Sequence, residues 1–115
     1  MEMTSDTSSG LQIIKVLDKR IDAAAAIQFK ESIRSLTSDS DGPVVLDLAE
    51  VDFVDSSGLG AIVAAMKFLG KDRPLHLAAL TPIVAKVFTL TRMEKVFKIF
   101  DTPSDAIDAS EANRA

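Results

Sequence analysis

The residues with chemistry to offer gather in one stretch, Asp55-Ser56-Ser57-Gly58-Leu59-Gly60, which closes the longer run VVLDLAEVDFVDSSGLG over 44–60. A carboxylate and two hydroxyls stand where an apolar helix should begin, and Gly58 and Gly60 leave its first turn bare. A helix start offers free N–H groups and a partial positive charge, both suited to a phosphate. Two readings stay open on spacing alone. In one, Asp55, Ser56 or Ser57 simply caps the helix, worth about 1 kcal/mol. In the other, one residue caps and the surplus hydroxyl is an approachable site for modification or contact.

Other chemistries fit less well. A nucleophile elbow needs glycine two residues to either side of its serine. Ser56 has Val54 and Gly58 there, and Ser57 has Asp55 and Leu59. The only candidate base is His76, the single histidine, which alternates with Leu75 and Leu77 and reads as a structural or surface residue. No lysine follows the glycines as a P-loop requires. Asp47, Glu50, Asp52 and Asp55 lack the ligand order and central glycine of a calcium loop, and read as a solvated acidic rim. No metal site and no cofactor is expected.

The elements that must position the serines follow from hydropathy. Residues 11–17 are rich in branched side chains and read as a strand. From Asp22 the period changes: Ala26, Phe29, Ile33 and Leu36 form one helical stripe, with Asp22 placed to cap it. The helix should stop at the polar loop 37–43. Residues 44–48 form a short, continuously apolar run, as in a strand covered on both faces. Residues 51–54 read as an extended connection.

A second helix is expected over 57–69, with Leu59, Ile62, Val63 and Met66 as its core stripe and Gly70 ending it. Residues 75–80 read as the next strand. Pro82 opens a third helix with the stripe Val84, Val87, Phe88 and Thr91. Residues 97–100 give a last short strand, and Pro103 opens a final helix to about Ser110. Alternating strands and helices make an α/β fold with a mainly parallel sheet. A hairpin at Gly10 would add an antiparallel edge. Hydropathy does not decide whether helices cover one face or both.

Composition bounds the rest. The chain has 115 residues, room for one domain of the usual roughly 100–150. At 47% apolar and 26% charged it is an ordinary globular composition. Seventeen acids against 13 bases give a net charge of -4, which argues against a nucleic-acid binder. Without cysteine there can be no disulfide or thiolate chemistry. The first ten residues lack the basic start and apolar run of a signal peptide, and the longest apolar stretch is too short to cross a bilayer. The expected location is the cytoplasm, with no direct membrane insertion.

The run VVLDLAEVDFVDSSGLG, with Arg20-Ile21-Asp22-Ala23 before the first helix and Leu90-Thr91-Arg92-Met93-Glu94-Lys95-Val96-Phe97 near the end, resembles the STAS domain family, and within it the anti-sigma factor antagonists. The resemblance spans about residues 11–107. It implies one STAS-like domain over 11–110, a four- to five-stranded mixed sheet flanked by about four helices. It leaves a polar segment over 1–10 and a frayed tail over 111–115. Residues 3–8 are more polar than the family's first strand, so that strand is expected short or missing.

In that family the first serine after the aspartate is phosphorylated, and it matches Ser56. The aspartate before the first helix matches Asp22. The resemblance implies no catalytic residue but a partner switch. The unphosphorylated form binds an anti-sigma factor that is also a serine kinase, ATP being carried by the kinase. Phosphorylation releases it, and a serine phosphatase resets the cycle. The expected partner surface is Asp22, Asp55, Ser56, Ser57 and Gly58, with Lys67, Lys71 or Arg73 farther along adding polar rim contacts. Two other roles stay open within the family: an accessory subunit of a membrane lipid transporter, and a partner switch whose output is not a sigma factor.

Overall fold

The computed structural model describes residues 1–114. The element order is β1 (Met3–Ser8), β2 (Leu11–Val16), β3 (Arg20–Ile21), α1 (Ala26–Thr37), β4 (Val44–Asp47), β5 (Phe53–Val54), α2 (Ser56–Leu69), β6 (Leu75–Ala78), α3 (Pro82–Leu90), a 3-10 turn (Met93–Lys95), β7 (Ile99–Phe100) and α4 (Pro103–Arg114). Five strands form one sheet in the order β1-β2-β4-β6-β7. β1 runs antiparallel to β2, and every other pair is parallel. The mainly parallel α/β sheet expected from the alternation of periods is present, and the antiparallel β1 makes it the mixed sheet that the resemblance implied.

Side-chain alternation divides this sheet into two faces. Ile14, Val16, Val44, Leu46, Leu75 and Leu77 point into the main core, where Phe29 and Ile33 of α1, Ile62 of α2, and Val84 and Phe88 of α3 meet them. Burying each such side chain contributes about 1.5–3 kcal/mol. Leu11, Val45 and Ala78 point the other way and pack on Ala106 of α4. Three helices therefore cover one face and α4 covers the other. All four residues of β4 are buried, as its unbroken apolar run required.

Several expectations need correction. β1 is a full strand paired with β2 from Met3↔Val16 to Ser8↔Leu11, despite its polarity. Its connection is the two-residue turn Ser9-Gly10, with φ of 51° and 81°. Positive φ at both positions matches the twist of a hairpin, so backbone pairing forms the edge without apolar side chains. α1 starts at Ala26, so Asp22 does not cap it; the Asp22 carboxylate instead accepts from the Ala25 N–H of the preceding turn at 3.2 Å. The buried face of α2 is Gly58, Ala61, Ile62, Ala65 and Leu69, whereas Leu59, Val63 and Met66 are only half-buried against the core. Close packing on α1 favours the smaller side chains there. In α3, Val84 and Phe88 are buried but Thr91 is exposed. α4 continues past Ser110 to Arg114, and Ala115 lies outside the described residues.

The connection at 51–54 contains a strand. β5 pairs in parallel with β3, Arg20 opposite Phe53 and Ile21 opposite Val54, as a second small sheet. No described helix is long and apolar enough to cross a membrane.

Candidate functional site

The chain leaves β4 at the C-terminal end of the parallel strands, where ligand and partner sites of α/β sheets gather. The Val51 N–H donates to the Leu48 carbonyl at 3.0 Å, closing a turn, and the Asp52 N–H donates to the Lys19 carbonyl at 2.8 Å. That bond leads into the β3–β5 pairing. Because Ile21 lies opposite Val54, the next residue on each strand is an aspartate: Asp22 on one, Asp55 on the other. The pairing sets side by side two aspartates that are 33 positions apart in the chain.

Both carboxylates hold backbone. Asp55 is the N-cap of α2: its Oδ1 accepts from the Gly58 N–H at 2.8 Å, and its Oδ2 accepts from the Ala23 N–H at 3.2 Å. One side chain thus caps the helix and ties it to the loop before α1. Asp22 accepts from Ala25 through Oδ1 and from the Arg20 guanidinium through Oδ2 at 3.3 Å. That guanidinium also lies 4.0 Å from the centroid of the Phe53 ring, a cation–π contact.

Ser56 and Ser57 are the first two residues of α2, and both are exposed. With Asp55 capping, neither hydroxyl is needed as a cap. Among the described residues, neither hydroxyl makes a hydrogen bond to the protein. The surface around them carries Asp22, Asp52 and Asp55, with the cation Arg20 paired to Asp22 and Lys19 beside it in the chain. Nothing in the spacing of residues 44–60 pointed to Arg20; the signal was its position two residues before Asp22.

Gly58 does not belong to the exposed surface. It is buried, and a Cβ there would overlap the Ile21 carbonyl oxygen. Gly60 is the open one, with nothing near its missing side chain. The two glycines expected to bare the first turn thus have different causes.

The expected rim residues lie elsewhere. α2 spans 14 residues, about 20 Å, and Lys67 and Lys71 flank its far end. Arg73 is occupied: it donates to the carbonyls of Gly42 at 3.0 Å and Thr37 at 2.9 Å, and to the Ser40 hydroxyl at 3.2 Å. His76 sits at the start of β6, beside Phe100 at a ring separation of 5.8 Å, and makes no contact with either serine. Burial first, and Lys98 second, hold its pKa below the ordinary value. The acids at 47–55 do not converge. Asp47 is buried and accepts from the Ala49 N–H at 3.0 Å, leaving only the outer acids on the surface.

The family model of the STAS domain matches residues 4–106. The anti-sigma-F factor antagonist RsfB of Mycobacterium tuberculosis is 27% identical over 94 residues, covering 82% of this chain and 77% of that protein. The structure of an anti-sigma factor antagonist from Mycobacterium paratuberculosis superposes with a TM-score of 0.83 at 26% identity, over 96% of this chain and 93% of that one. The Bacillus cell fate determinant SpoIIAA in its phosphorylated form superposes with a TM-score of 0.66 at 20% identity, over 94% and 98%, a likeness of fold alone.

Proposed function

The chain belongs to the STAS domain family, and on that premise we propose that it is an anti-sigma factor antagonist working as a partner switch at Ser56. The unphosphorylated chain docks on an anti-sigma factor that is also a serine kinase and so frees the sigma factor. Phosphoryl transfer from the kinase's ATP to the Ser56 hydroxyl breaks the complex, and a serine phosphatase restores it. The observation that carries the reading is the Ser56 hydroxyl itself: exposed, unbonded, and at the mouth of a helix already capped by Asp55. Similarity to RsfB over most of the chain supports the choice of partner class.

The physics of release follows from charge. A neutral hydroxyl packs into an interface at little cost. A phosphate brings about -1.5 to -2 charges and three acceptor oxygens. The end of α2 offsets only about 0.3–1 kcal/mol of that at an exposed site. Arg20 is already paired with Asp22. Docked against a partner, the phosphate would shed water without enough positive charge to replace it, so binding weakens. Asp22, Asp55, Ser56 and Ser57 form the proposed contact surface. Gly58 acts beneath it, letting α2 approach β3.

Incubation with ATP and a cognate serine kinase, followed by intact mass and peptide mapping, should add one phosphate at Ser56, in the parent and in Ser57→Ala alike. Ser56→Ala should hold the kinase persistently, and Ser56→Asp should bind it poorly. If both Ser56 variants bind as the parent does, the switch does not sit there. A chain that takes no phosphate and instead copurifies with a membrane transporter's ATPase would favour the accessory-subunit role.

A further inference from the structure

At the end of the molecule away from Ser56, a groove of about 580 Å³ opens between the C-terminus of α2, the start of β6 and the segment before β7. Met66, Leu75 and Val96 give it an apolar lining, and Lys67, Lys71 and Lys98 stand around it. Val96 stays 47% exposed, and all three lysines are exposed. No carboxylate lines the groove, although the chain has 17 acids against 13 bases. The only ion pair among the described residues is Arg20–Asp22, so none of the three lysines is in a salt bridge, although Asp72 follows Lys71 directly in the chain.

Lys67 and Lys71 flank the end of α2, where the helix dipole alone favours cations. Lys98 has a different one, a cation–π contact with Phe100, which does not itself line this groove. It comes from a different element, with its ammonium 5.3 Å from the centroid of the Phe100 ring. Its field reaches His76, whose neutral form is favoured by burial and by that charge, so His76 adds an imidazole and not a fourth cation. An apolar floor under a basic rim is complementary to a molecule with an apolar tail and an anionic head. The volume falls within the roughly 300–1,000 Å³ of small-molecule sites. An anionic bilayer is a poorer match, because the lysines surround a concavity and the whole chain is net negative.

We infer that this groove binds a free medium-chain fatty carboxylate, its chain on Met66, Leu75 and Val96 and its head held by the lysine rim. The site stands independently of the reading at Ser56, from which it is separated by the length of α2. The test titrates decanoate, below its micelle concentration, into the full isotope-labelled chain while amide shifts are followed. Saturable shifts should appear at Gly70, His76 and Val96. Decyltrimethylammonium, with the same tail and the opposite charge, should produce none. Lys71→Gln and Lys98→Gln together should weaken binding about tenfold, added salt should weaken it in the parent, and Val96→Asp should abolish it. The inference is overturned by shifts that do not saturate or fall outside the groove, or by equal binding of the ammonium. It also fails if the double lysine variant binds as the parent does, or if anionic vesicles bind the chain while decanoate does not.

Discussion

Gly58 occupies a place where no side chain fits. A Cβ there would lie 2.6 Å from the Ile21 carbonyl carbon and closer still to its oxygen, and backbone atoms cannot swing aside as a side chain can. Gly58→Ala should therefore push α2 off β3 and cost about 1–3 kcal/mol, read by urea unfolding. Gly60, two residues on, faces open space. Gly60→Ala should be neutral or stabilise by up to about 1 kcal/mol, because alanine loses less backbone freedom in a helix. Equal costs at the two positions would refute this account. Sequence spacing gave both glycines the same role, since a missing Cβ looks alike in a list of residues. Only the approach of the Ile21 backbone separates them.

At the scale of elements, Arg73 is the clearest case of a residue whose role lies outside its own segment. Its guanidinium reaches the last carbonyl of α1, the Gly42 carbonyl and the Ser40 hydroxyl, fastening the 38–43 loop to the turn before β6. Ser40 in turn donates to Gln12, a buried amide that also donates to the Leu36 carbonyl. Arg73→Ala should cost about 1–3 kcal/mol, because it removes three hydrogen bonds and leaves the Gly42 carbonyl without its donor. Arg73→Lys should recover only part of that, since one ammonium cannot match the planar fork. Unfolding measurements on the two variants check both statements. The β3–β5 pair is the other element-scale feature invisible to hydropathy. Each strand is two residues long, too short for any period to register. Yet this pairing is what sets Asp22 beside Asp55.

For the molecule as a whole, the helix bearing Ser56 is held over its length. Asp55 anchors its start, Ile62 and Ala65 lie in the core, and Gly70, at φ 79°, ends it. The proposed phosphorylation at Ser56 would therefore have no packed side chain to displace, and should act by charge and size without refolding. Amide shifts on phosphorylation should stay within about residues 20–25 and 52–60, with the β2, β4 and β6 amides unmoved. Shifts spread through the sheet would point to a conformational switch.

What the sequence determined by itself was the alternation of strands and helices, the all-buried β4, and the serine pair after an aspartate at a helix start. Each is written in local chemistry: a hydropathy period, an unbroken apolar run, a capping residue type. What only the tertiary structure decided was the completeness of β1, the placing of α1, α2 and α3 on one face with α4 on the other, the burial of Gly58, and the meeting of Asp22 with Asp55. Those depend on backbone pairing and on contacts between segments distant in the chain. Hydrogen bonds between main-chain groups carry no side-chain label, so the order of residues alone does not disclose where they form.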